Sequence, residues 1–240
     1  LFFKDFFTAA NFLAYADTLH TVRIGNTGLV NANANAATIL VKSEADYDAN
    51  YAAGISGGGD VVAKFPGALG NSLKYSICPS NTAFESTLTG NYTVVNGNNG
   101  VVFSANQAAA ISAGDLLQLG SDKEMYKVST VAGDGKSVVL TSSYTGNTVN
   151  ASTALNRRWE FYDFVSAAPG TSPFATTRGA TNDTMHIVVI DEDGEWTNVK
   201  NQVVEVFEAV SKATDARNED GSTNYYVERL NRQSAYLWWA

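Results

Sequence analysis

Between about Glu85 and Arg158 the chain is a run of short strand-like stretches with nothing of helical period between them. They are Tyr92–Val95, Val101–Ser104, Leu116–Leu119, Glu124–Val131 and Ser137–Thr141. Turn residues part them at Asn96–Gly100, Gly120-Ser121-Asp122 and Gly133-Asp134-Gly135. Strands this close together leave no room for crossover helices, so 85–158 is expected to be a small inserted all-β module, a barrel or a sandwich.

The flanks, 1–84 and 159–240, alternate helix and strand and are expected to form a discontinuous mixed α/β layer. The overall class is therefore α+β. Phe3, Phe6, Phe7, Ala10 and Leu13 recur at spacings of three and four, predicting a helix over Leu1–Tyr15. His20–Ile24 has strand character, Gly25–Ala37 reads as a low-complexity connection, and Thr38–Val41 as a short strand. An acidic patch follows at Glu44, Asp46 and Asp48, then a flexible joint over Gly54–Asp60. Turn signals at Phe65-Pro66-Gly67 and Leu69-Gly70-Asn71 precede a strand at Leu73–Cys78. Trp159–Val165 reads as an aromatic strand leaving the module. The uninterrupted apolar run in His186–Ile190 suits a strand covered on both faces. Asp193-Gly194 predicts a two-residue hairpin joining His186–Asp191 to Glu195–Val199. Val203–Val210 is expected to be a strand with Val204, Val206 and Val210 on one face. Thr223 is placed to cap a helix over Asn224–Gln233 with Tyr225, Tyr226 and Leu230 buried, and Tyr236–Trp239 is a last strand.

Composition narrows the function classes. Charged residues make up 17%, against a usual value of about 25%, and 22 Asn and 22 Thr take their place. The net charge of −8 argues against a nucleic-acid partner, which needs clustered Lys and Arg. Residues 183–240 hold 11 Asp and Glu against 5 Lys and Arg, so most of the acidity lies there. The single cysteine, Cys78, excludes an intrachain disulfide and a thiolate-rich metal site. No apolar run is long enough for a membrane helix, so no membrane insertion is expected. Leu1–Phe7 has no signal-peptide pattern, and the chain is expected to be a segment of something longer.

No residue set assembles a catalytic, cofactor or metal site. His20 and His186 sit in strands without a nucleophile pattern and are expected to be structural, as is Cys78 before Pro79. Gly133-Asp134-Gly135-Lys136-Ser137 lacks the first glycine of a phosphate loop, having Thr130 in its place, and lies between strands rather than opening a helix. Asp191-Glu192-Asp193 reads as the polar mouth of a hairpin. An EF-hand loop aligned on Gly221, next to Glu219-Asp220, would begin at Ala216 and end at Val227, lacking its first and last ligands. The sequons at Asn91, Asn150 and Asn182 have meaning only in a secreted eukaryotic protein. Neither an enzyme nor a cofactor is expected.

Four stretches, in order, carry a resemblance. Val62–Leu73 (VAKFPGALGNSL) is similar to the aromatic-Pro-Gly, Leu-Gly-Asn, strand passage of contractile tail sheath proteins of myovirus-type bacteriophages. His186–Thr197 (HIVVIDEDGEWT), running into Val204–Ala216 (VEVFEAVSKATDA), resembles a sheath hairpin and the strand after it. Tyr225-Tyr226 through Asn231, Ser234 and Tyr236 resembles the helix-strand ending, and Phe6-Phe7…Asn11-Phe12-Leu13 before Val22-Arg23 the opening. The likeness covers 1–24, 60–84 and 159–240, and 85–158 resembles the kind of variable β insertion such proteins carry.

The resemblance implies a virion structural protein made in the host cytoplasm. Its partners would be other sheath subunits in stacked hexameric rings, with the tail tube and baseplate reached through regions mostly outside this chain. Function would lie in a shift between two packings rather than in an active site. A β-rich carbohydrate-binding or adhesin module, secreted or at the surface, is the alternative from another class.

Overall fold

The computed structural model describes residues 3–19, 28–121 and 123–240. The expected strand at His20–Ile24 lies outside the described residues. In chain order the first elements are α1 (Phe3–Leu13), β1 (Asn31–Asn33), α2 (Glu44–Asn50), β2 (Val61–Pro66), β3 (Leu73–Cys78) and α3 (Asn81–Phe84). Next come β4 (Glu85–Val94), β5 (Gly100–Phe103), β6 (Leu116–Gln118), β7 (Met125–Val131), β8 (Ser137–Leu140) and β9 (Val149–Arg158). The chain then gives α4 (Pro173–Thr176), β10 (Thr184–Asp191), β11 (Gln202–Ser211), α5 (Tyr226–Gln233) and β12 (Leu237–Trp239). The fold is a mixed α/β domain with a small closed β-barrel inserted in it.

The barrel closes in the order β4-β5-β8-β7-β6-β9. Alternate residues point inward, as the two-residue period of a strand requires. Tyr92, Val94, Val101, Phe103, Leu117, Leu119, Tyr126, Val128, Val138, Leu140, Tyr144 and Leu155 fill it. Its sixth strand, β9, escapes the sequence pattern because Val149–Arg158 is mostly Asn, Ser, Thr, Ala and Arg; pairing along β4 makes it a strand. β4 also begins earlier than its apolar residues suggest, at Glu85 rather than Tyr92. The β4–β9 register shifts between Thr89 and Tyr92, beside Gly90 at φ +127°. That bulge bends the strand as closure demands.

Two three-stranded sheets make the rest: β1-β2-β12, and β11-β10-β3. Val61, Ala63 and Leu237 of the first share one apolar cluster with Met185, Ile187, Val189, Phe207 and Val210 of the second, and α5 adds Leu230. The outer face of the first sheet, Val62 and Trp238, is covered by Ile39, Val41, Tyr47 and Ile55. The outer face of the second, Cys78, Val188 and Ile190, is covered by Trp159 and Phe161. β10 is thus buried along its whole length, as its apolar run predicts, although its neighbours are antiparallel.

Several local expectations are corrected. The Asn-Ala-Asn stretch forms β1, and its side chains replace a strand ladder. The Asn31 amide oxygen accepts from Val41 N–H while its amide nitrogen donates to the Val41 and Ala63 carbonyls. Thr38–Val41 therefore needs no ladder and is not a strand. The acidic patch is α2, whose first turn carries Glu44 and Asp46 behind the Ser43 cap. Trp159–Val165 is not a strand but a covering segment with a 3-10 turn at Tyr162–Phe164. Thr223 does not cap α5. The helix starts at Tyr226 after Tyr225, and Thr223 Oγ1 accepts from Tyr225 N–H instead.

Val204 and Val206 do not share a face. Two register shifts against β10, one of them at Ala209 (φ +50°), bring Phe207 and Val210 to the inner cluster with Val204 and leave Val206 exposed. Asp193-Gly194 does not join a tight hairpin either. β10 pairs with β11 from Gln202 onward, and 192–201 is a ten-residue loop.

Candidate interaction surface

The 192–201 loop is built around one carboxylate. Asp191 ends the buried strand β10 and is itself fully buried. Its Oδ1 accepts from Ser72 Oγ at 2.5 Å and Gly194 N–H at 3.1 Å. Its Oδ2 accepts from Trp196 N–H at 3.0 Å and from Thr197 N–H and Oγ1, both at 2.8 Å. Burial by itself raises the pKa, but the Ser72, Thr197 and Trp196 hydrogen bonds outweigh it and hold the group at about 2. Ser72, at the end of the 3-10 turn after Leu69-Gly70-Asn71, also accepts from the Asp193 and Glu195 amides and receives Glu192 N–H on its carbonyl. The loop is pinned at both of its inner walls.

What the pinned loop presents is aromatic. The Trp196 ring lies 5.6 Å from Phe65 and 5.1 Å from Tyr236, edge-on to the latter. Trp196 Nε1 donates to the Leu69 carbonyl at 3.1 Å. Phe65 remains 46% exposed, Leu69 36% and, in the same loop, Val199 54%. The Lys74–Glu192 pair at 3.5 Å, with exposed Asp193, Glu195 and Lys200, supplies a polar rim. Nearby, Glu205 of β11 accepts from Ser234 Oγ and Ala235 N–H, both at 2.6 Å, fixing the turn between α5 and β12. The Asn231 amide nitrogen donates to Tyr47 Oη, and its oxygen accepts from Trp239 N–H. An apolar patch ringed by charge on a rigid base suits contact with another protein surface.

The other residues singled out in the sequence lie elsewhere. His186 is buried and bonded at both ring nitrogens, and His20 is outside the described residues. Cys78 is buried, donates to the Ser80 carbonyl, and burial pushes its thiol up to about 11, so it is a poor nucleophile. Gly133–Ser137 is the turn between β7 and β8, closed by Ala132 N–H to the Ser137 carbonyl. Asp220 accepts from Ser222 N–H and Oγ within its own turn. Among the described residues no group of three or more His, Cys, Asp or Glu side chains is placed to hold a metal ion. The barrel aromatics Tyr92, Phe103, Tyr126 and Tyr144 all face its interior.

Sequence reasoning missed Ser72, Phe65 and Trp196 as partners and took Asp191 for part of a polar mouth. The available signal was an acid continuing directly from the apolar run Ile187–Ile190, a place where an unpaired carboxylate is not tolerated. Comparison with protein-family models, curated proteins and solved structures gives no match.

Proposed function

We propose that the chain is a structural subunit of a phage-type contractile tail sheath and that the Phe65–Leu69–Trp196–Val199 surface is a contact between copies. The supporting observation is spatial. Three stretches carrying the sequence resemblance, far apart in the chain, meet at this one surface: Ser72 and Leu69 from the first, Asp191 and Trp196 from the second, Tyr236 from the last. A sheath works by exchanging one packing of subunits for another, so each subunit must keep its contact surfaces stiff while the interfaces re-pair. A loop held by a five-donor carboxylate, with Phe65 exposed and Trp196 and Tyr236 half-buried beside it, has that character, and Trp and Tyr are favoured where interfaces concentrate their binding energy.

Negative-stain microscopy of the product of the complete gene tests the assignment. Hollow tubes of stacked rings are the expected result. Dispersed monomers that bind glycans on an array would replace it with the adhesin reading.

A further inference from the structure

His186 sits where the chain enters and leaves the barrel. Phe84, the last residue before β4, meets its ring edge-on, and Trp159, the first after β9, stacks on it with the planes 24° apart, each with centroids 6.3 Å away. Trp159 N–H donates to the Phe84 carbonyl, and its indole nitrogen donates to Ser76 Oγ of β3. The imidazole tautomer follows from its partners. Ala209 N–H, 2.9 Å from Nδ1, can only donate, so Nδ1 is the acceptor. Nε2 then carries the hydrogen and donates to the Ala167 carbonyl at 2.8 Å. The ring is neutral and both nitrogens are used.

Ala209 is the bulge residue of β11 at φ +50°, a conformation alanine adopts only when its surroundings impose it. Those surroundings are two side chains: His186 takes its N–H, and Asn224 Nδ2 donates to its carbonyl at 3.0 Å. Asn224 in turn accepts from Arg229 of α5. We propose that His186 is an acid-sensitive latch: protonation turns Nδ1 into a donor facing the Ala209 N–H and frees the bulge, while Nε2 keeps its hydrogen bond to the Ala167 carbonyl.

The surrounding charges fix its direction. From β11 comes Glu208, whose carboxylate accepts from Ser166 N–H and Oγ. From β3 comes Cys78, a neutral thiol in register with His186, and beyond it the Asp115–Arg157 pair. On the covering segment Glu160 is paired with Lys127 and Asp163 is exposed. Asp183, before β10, is held by Ser172 and Ser211. Burial lowers the His186 pKa from 6.5, and the Ala167 bond and Glu208 offset part of that. The closed form thus binds its proton later than the open form. The latch is intact above about pH 6.5 and weakens as pH falls below it, by at most tenfold per unit for one proton. Glu208 gives the opened imidazolium a partner.

Hydrogen exchange of the 240-residue chain, followed by NMR from about pH 7.5 to 5.0, tests this. Corrected for intrinsic exchange, protection of the Ala209 amide is expected to fall up to about tenfold per unit below about pH 6.5. The Val128 amide, bonded to Asp115 inside the barrel, is expected to hold steady. His186→Asn, which keeps an acceptor near Nδ1 but does not titrate, is expected to abolish the fall. Glu208→Gln is expected to move its onset to lower pH, and decides the matter if His186→Asn does not fold. Constant Ala209 protection in the parent chain, or an onset unmoved in Glu208→Gln, would overturn the latch.

Discussion

Asp191 shows how much one buried acid can organise. Five donors from Ser72, Gly194, Trp196 and Thr197 converge on it, and replacing it with Asn turns one acceptor into a donor facing donors. Asp191→Asn is expected to cost about 2–3 kcal/mol in urea unfolding, the scale of a buried unsatisfied group. Because the folded pKa of about 2 lies below the ordinary 3.8, the carboxylate's contribution is complete above pH 3.8 and is lost as pH falls towards 2. Acid unfolding of the Asn variant is therefore expected to be shallower than that of the parent across that window. Gly194 has a related constraint. At φ +79° an added Cβ would sit 3.0 Å from the Val199 carbonyl carbon and the Lys200 nitrogen. Gly194→Val is expected to lower stability by about 1–2 kcal/mol, from left-handed backbone strain in a pinned loop rather than from a broken hairpin turn.

At the level of elements, legibility in the sequence tracked the source of each element's stability. β10, β3 and the inward residues of β5, β7 and β8 are set by apolar pattern and were readable. β9 is set by its neighbours β4 and β6, and Thr38–Val41 by the Asn31 side chain, so neither pattern nor propensity reports them. Asp193-Gly194 is a strong local signal, but the Asp191 side chain captures the following amides before a ladder can form. The junction beneath the barrel was equally hidden. Arg157 of β9 donates from Nε and Nη2 to Asp115, and from Nη1 to the Thr82 and Ala83 carbonyls of α3. Both charged groups are buried. Arg157→Ala is expected to destabilise the protein by about 3–5 kcal/mol, since it strands the Asp115 charge. Replacing both partners with Leu is expected to recover only part of that, because the α3 carbonyls and the Ser112 amide, which donates to Asp115, lose their partners as well. Denaturant unfolding of the three variants measures both effects.

Over the whole molecule, the barrel is an excursion whose two ends are neighbours: Glu85 and Arg158 pair directly across β4 and β9. Joining Phe84 to Trp159 through a short Gly-Ser link therefore closes a gap of only about 5 Å. The two-sheet body is expected to remain folded after excision, with native-like near-ultraviolet dichroism from Trp159, Trp238 and Trp239; complete unfolding would mean that the barrel is part of the body's core. The flat faces of the two sheets are already covered within the chain, whereas Phe65 beside Trp196 stays 46% exposed, and the contact between copies is proposed to form there. Photo-crosslinking from position 199, with a benzophenone side chain replacing Val199 in the assembled product of the complete gene, addresses that claim most directly. A ladder of covalent oligomers spaced by one subunit mass is the expected result. Assembled material that yields only uncrosslinked subunits from that position would contradict it.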